Sequence, residues 1–168
     1  MTSQLRDPDS DQSTPVTRAL DAFGIPYRFF SHPGKVRSLE QAAQERGQEP
    51  QQIIRSIVFR LAKDEFVMVL VAGPSQISWP ALRAYLGQSR LTMASEDEIL
   101  SVTGYPIGAV SPFGLPDPMR ILVDRSVIQA GEVSIGSGIR NTTVILEGAD
   151  LMRALGQVDI TDFVQQDD

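Results

Sequence analysis

The chain has 168 residues, enough for one domain with a substantial core. It holds no cysteine and a single histidine, which excludes disulfides and thiolate metal centres and makes no case for a metal site of any kind. The formal net charge of −6 argues against a broad basic face for nucleic acid, yet it is concentrated at the ends. Asp7, Asp9 and Asp11 lie near one terminus, opposed by Arg6, and Asp159, Asp162, Asp167 and Asp168 near the other, so the middle is neutral and any grip on nucleic acid is local. No apolar run is long enough to span a bilayer and no signal-peptide core opens the chain, so a cytoplasmic location with no membrane partner is expected.

Residues 1–14 read as a disordered acidic tail. Thr14-Pro15 then supplies an N-cap and a proline for the first helical position; Val16, Leu20 and Phe23 share one helical face, and Gly24 ends the helix. A strand is expected over 27–31, closed by His32-Pro33-Gly34. Ser38-Leu-Glu-Gln41 has the form of a capping box for a short helix that Gly47 stops, with Lys35 and Arg37 just ahead of it. The β-branched run 53–62 and the apolar run 66–72 flank Lys63-Asp64-Glu65 and predict an antiparallel hairpin whose second strand is buried on both faces. Ser78-Trp-Pro80 opens a helix that reaches Tyr85 and stops at Gly87, with Trp79 as packing.

A short strand over 91–94 precedes a second capping box, Ser95-Glu-Asp-Glu98, whose acids suit the first turn of a helix. Beyond it the spacing predicts a strand over 119–124, a helical turn over 124–128, strands over 132–135 and 141–147, and a helix over 149–155 ended by Gly156. An edge strand over 158–160 and an acidic tail over 161–168 follow. Several strand pairs are joined too tightly for parallel crossovers, so the fold class is α+β, with a mixed, largely antiparallel sheet in a single domain over 15–160.

The stretch from Thr103 to Gly114 stands apart. Three glycines and two prolines in twelve positions exclude a helix or a strand interior and describe a shaped, rigid loop. Gly104, Gly108 and Gly114 permit backbone angles closed to other residues, and bare backbone of this kind can aim N–H and C=O groups at a small ligand. The bland alternative is a structural turn. Ser111 invites a serine-nucleophile reading with His32 as its base, but Gly108-Ala-Val-Ser-Pro112 lacks the G-x-S-x-G elbow. No phosphate-binding P-loop and no dinucleotide fingerprint occurs.

Gly108-Ala-Val-Ser-Pro112, with Thr103-Gly-Tyr105 ahead of it, resembles the GxxxP signature of the YbaK/prolyl-tRNA-synthetase-associated editing family. Ile54-Arg55-Ser56-Ile57-Val58-Phe59 is similar to that family's Lys-Ser or Lys-Thr strand, and Gly136-Ser137-Gly138 to its late glycine loop; together the likeness covers about 15–156. The resemblance implies a curled mixed sheet with helices around it. It also implies hydrolysis of the ester of a mischarged tRNA carrying a small amino acid, with no cofactor and no covalent nucleophile. Backbone of Gly108, Ala109, Val110, Ser111 and Pro112 would position a water, aided by the substrate's ribose hydroxyl, and Arg55 would stand near the terminal nucleotide.

Ser56, Gly136, Ser137 and Gly138 would then line the substrate pocket, with His32 at a strand end and Arg140 as further contacts. Two departures stand out. Arg55 replaces the usual lysine, keeping a charge suited to phosphate but no removable proton. Ile139-Arg140-Asn141 lacks the histidine found in some relatives, which leaves the amino acid unassigned. The implied partners are the acceptor end of a mischarged tRNA and an aminoacyl-tRNA synthetase. A binding protein that kept the pocket and lost hydrolysis is the alternative.

Overall fold

The computed structural model describes residues 13–165. All but Ser13 and Thr14 of the N-terminal stretch read as a tail, and the last three residues of the C-terminal one, lie outside the described residues. The described residues form five α-helices, α1 (Pro15–Ala22), α2 (Leu39–Arg46), α3 (Trp79–Leu86), α4 (Glu96–Thr103) and α5 (Gly148–Leu155). They also form eight strands, β1 (Arg28–Ser31), β2 (Ile54–Ala62), β3 (Glu65–Ala72), β4 (Thr92–Met93), β5 (Arg120–Asp124), β6 (Glu132–Gly136), β7 (Thr142–Glu147) and β8 (Asp159–Thr161).

Local chemistry sets most boundaries. Thr14 and Thr17 cap α1 reciprocally, and Ser95 and Glu98 do the same for α4. At α2 only half of the expected box forms: Ser38 accepts from the Gln41 amide, while the Gln41 side chain turns to the Arg37 amide and to Glu45. Phe23, read as part of the buried face of α1, is 58 % exposed because it falls at the C-cap, where its ring meets the edge of Phe113.

The strands make two sheets rather than one. β1-β7-β6 is antiparallel throughout; β4-β2-β3-β5-β8 is mixed, antiparallel at β2/β3 and β2/β4, parallel at β3/β5 and β5/β8. A single parallel bridge between Ile53 and Ser134 joins them and curls the whole. β3 is the centre of the larger sheet. Met68, Leu70 and Ala72 pack into the cluster between the sheets, and Val67, Val69 and Val71 into the one beneath α3, so the two-faced burial expected of this strand is present. Trp79 lies edge-on to Phe59, 5.2 Å between ring centres, as packing. Ordered packing extends to residue 165: Phe163 is fully buried under α3, Val164 bridges Ile77, and the stretch read as an acidic tail therefore begins inside the folded body.

One consequence of this topology sets the site. β2 pairs with β4 only at Phe59 and Arg60, and the bridge to β6 is at Ile53. Between those points the edge of β2 splays away from β6 and leaves a wedge.

Candidate functional site

The glycine-proline loop closes the wedge. It leaves α4 at Gly104, which caps the helix in the left-handed region (φ 80°). Tyr105 then folds beneath the loop, 2 % exposed, and its hydroxyl donates to the Phe113 carbonyl at 2.6 Å, tying the two ends together. Burial pushes the Tyr105 phenol up to about 12, so it stays a donor across the working pH range. Across the wedge the loop lies directly on β6. A Cβ at Gly136 would stand 2.7 Å from the Val110 carbonyl carbon, and the Gly138 amide donates to the Ala109 carbonyl at 3.0 Å. Glycine at 136 is therefore a condition of loop docking.

Two cavities meet at this loop. The first, of about 440 Å³, fills the wedge; Ile54, Val58, Ile99, Val110 and Ile135 make its wall mostly apolar, with Ser56, Gly136 and Thr143 as its small residues. The Ser56 hydroxyl is buried there with no partner among the described residues. The second, of about 730 Å³, is more open and carries Lys35, Arg46 and Arg140 in its wall with no carboxylate, beside His32, Ser38 and Asn141. Arg46, Ile53, Ile107, Gly108 and Thr142 belong to both walls, so the cavities form one continuous cleft. Among the described residues, neither the Gly108 nor the Val110 amide has a hydrogen-bond partner, whereas the Ala109 amide is spent on the Pro106 carbonyl.

A polar chain supports the junction. His32 presents Nδ1 to Glu45 Oε1 at 2.7 Å and Nε2 to Arg46 Nε at 3.0 Å. Arg46 Nη1 donates to Ser134 Oγ at 2.8 Å, and Ser134 donates onward to Gln48 Oε1 at 2.9 Å. An arginine Nε–H is always a donor, so His32 Nε2 must accept; the ring is neutral, with its proton on Nδ1. Burial holds the His32 pKa below its usual value, the Glu45 hydrogen bond opposing the shift. Burial also presses the Arg46 guanidinium down to about 10.

All but Gly138 of the residues singled out in the sequence fall into three groups. Arg55, Ser56, Gly108, Val110 and Gly136 line the wedge cavity, and His32, Gly108 and Arg140 the open one. Ala109, Ser111, Pro112 and Ser137 are buried, behind the cleft rather than in its wall. Ser111 Oγ accepts from the Phe113 amide in a local turn, and both ring nitrogens of His32 are engaged elsewhere, so no serine–histidine pair exists. Ser137 Oγ bonds Thr142 and Ile139, shaping the connection to β7, and Gly138 packs on Tyr105. Arg55 reaches across the hairpin: Nε donates to the Gly73 carbonyl at 2.7 Å and Nη2 to the Ser75 carbonyl. Arg140 Nε donates to the Ile107 carbonyl at 3.1 Å, bracing the loop from outside.

Arg46 is the residue that sequence reading missed. As the last residue of α2 it carries, in sequence, only the signal of a cation at a helix C-terminus. Only the Ile53–Ser134 bridge brings β6 beside it.

Residues 33–154 match the aminoacyl-tRNA editing domain family. The chain is 32 % identical over 134 residues to the proline–tRNA ligase of Thermosipho melanesiensis, covering 79 % of this chain and 23 % of the ligase, so it spans about a quarter of that relative's length. It is also 32 % identical over 114 residues to the uncharacterized protein YwhH of Bacillus subtilis, covering 68 % of this chain and 72 % of YwhH. A crystal structure reported as a candidate trans-editing enzyme for prolyl tRNA synthetase superposes with a TM-score of 0.82 at 25 % identity, over 94 % of this chain and 99 % of that one. The match over 33–154 takes in the whole loop, both glycines of the β6 end and every cation of the cleft, and the chain belongs to the aminoacyl-tRNA editing domain family.

Proposed function

We propose that the chain is a trans-editing deacylase that hydrolyses the ester of a mischarged tRNA bearing a small amino acid. The observation that carries the reading is the cleft itself: an apolar cavity and an open basic one, continuous past Gly108 on the loop. The apolar part suits an uncharged aminoacyl side chain. The open part, with Lys35 and Arg140, suits the terminal nucleotide and its phosphate. The ester then lies beside the loop, where the unpaired Gly108 and Val110 amides can hold a water or the carbonyl oxygen. An ester needs no covalent nucleophile for this, and the burial of Ser111 agrees with its having none. The likeness to a candidate trans-editing enzyme supports action on released tRNA, alone or beside a synthetase.

The test is to incubate the purified chain with tRNAs mischarged with alanine, cysteine, serine or threonine and follow loss of the ester. Turnover of at least one is expected, with correctly charged tRNA spared. A second reading, a protein that binds the aminoacyl end without hydrolysing it, is favoured by one observation: the Arg55 guanidinium is committed to the Gly73 and Ser75 carbonyls. Tight binding with no turnover across the panel would establish that reading instead.

A further inference from the structure

Arg46 stands where the two cavities meet, and no carboxylate among the described residues is in direct contact with it. Two of its five N–H donors go to neutral acceptors, His32 Nε2 and Ser134 Oγ. Among the described residues no carboxylate pairs with it; Glu45, the adjacent acid, is turned to His32. A half-buried cation held on two sides, with three N–H donors to spare at a cavity wall, calls for an anionic or strongly accepting oxygen as its third partner. Gly108 shares that wall, so the spare donors and the loop backbone border the same space.

We propose that Arg46 stabilises the oxyanion that develops at the substrate's ester carbonyl, with His32 and Glu45 as the positioning residues that aim it. This rests on the deacylase reading above, which puts the ester at the junction. A water oxygen attacks the acyl carbon, the carbonyl π pair moves to the carbonyl oxygen, and the Arg46 N–H donors meet that negative charge. Collapse restores the carbonyl and breaks the bond to the ribose oxygen. The proton lost by the attacking water returns through solvent to that oxygen, giving the free amino acid and the 3′-hydroxyl.

His32 makes the arrangement pH-dependent. The charged groups that face it are Glu45 and Arg46 of α2, with Lys35 and Arg140 across the open cavity; Phe30 and Asn141, which pack against it from β1 and the turn before β7, are uncharged. Protonated His32 offers Arg46 an N–H in place of a lone pair and repels it. kcat therefore falls as pH drops through the His32 pKa, which lies below 6.5.

The experiment measures kcat and KM for wild type, Arg46→Gln and Arg46→Lys on the mischarged tRNA turned over fastest, with thermal melting as the check on folding. Arg46→Gln is expected to lower kcat about 10²–10³-fold with KM nearly unchanged, and Arg46→Lys to recover part of the loss. Because removing a buried cation can unfold a chain, Glu45→Gln is the second variant. It keeps Arg46 and replaces the carboxylate that raises the His32 pKa with a neutral amide, so the acid limb of kcat should move to lower pH. A folded Arg46→Gln with wild-type kcat overturns the proposal, as does a rise in KM alone, which would make Arg46 a phosphate contact. An acid limb unmoved in Glu45→Gln overturns the positioning roles. A wild-type chain that turns over no mischarged tRNA removes the deacylase reading and this inference together, an outcome distinct from the failure of Arg46 variants alone.

Discussion

Arg46 and Arg55 both border the wedge cavity, and their hydrogen bonds give them different work. Arg55 is spent on two carbonyls at the end of β3, where it fastens the β3–α3 connection to β2. Losing two hydrogen bonds from a charged donor, with their acceptors left partly buried, costs about 1.5–3 kcal/mol each at most. Arg55→Ala is therefore expected to melt clearly below wild type, with Arg55→Lys between them; an unchanged melt with lost turnover would instead mark direct contact with substrate.

His32 is the second residue whose environment dictates behaviour. Its pKa is lowered on folding, so between the folded value and 6.5 the unfolded chain binds more protons than the folded one. The sign follows: stability is full above about 6.5 and declines as pH falls below it. Urea unfolding at pH 7.5 and at pH 5.5 should show a lower midpoint at the acid end, and His32→Gln should flatten that part of the difference.

Among the elements, the loop from Tyr105 to Gly114 and strand β6 act as a pair. The loop has almost no regular structure, and four features hold it: the Tyr105–Phe113 hydrogen bond, the Gly138–Ala109 hydrogen bond, the Arg140–Ile107 hydrogen bond, and the contact of Val110 with Gly136. The last leaves no room for a side chain, because the obstacle is backbone on both sides. Gly136→Ala should therefore lift the loop, cost about 1–3 kcal/mol as overpacking does, and lower kcat more than any exposed substitution on α4. Gly108→Ala is the contrast: φ there is 89°, so the cost is backbone strain, with open space around the Cβ.

For the whole molecule, two sheets meeting at one bridge make a cleft that neither contains alone. β3 supplies the stable centre, buried on both faces, and α3 with Phe163 seals the side away from the cleft. Phe163 lies beyond the last strand and is fully buried, and its amide donates to Asp124 at 2.7 Å. Phe163→Ala is expected to cost about 3–5 kcal/mol in denaturant unfolding while leaving turnover at low temperature near wild type, since Phe163 is in the wall of neither cavity.

The sequence by itself settled what depends on near neighbours. Caps at Thr14 and Ser95, stops at Gly47 and Gly87, the hairpin around Lys63-Asp64-Glu65 and the rigid loop after α4 are local physics, written in a few adjacent residues. The α+β class followed from the same signals, and the family from motifs that local constraints had shaped. Tertiary structure alone decided what depends on distant partners. The two sheets are joined where Ile53 meets Ser134, 81 residues further on, and no periodicity encodes that meeting. The same meeting brings Ser134 to Arg46, and the packing of α2 against the end of β1 turns His32 from a lone imidazole into a neutral strut between an acid and a cation. Docking of the loop on β6 puts Ser111 and Ser137 behind the wall, because a loop's sequence fixes its shape while the surface it docks on fixes which side faces the cavity.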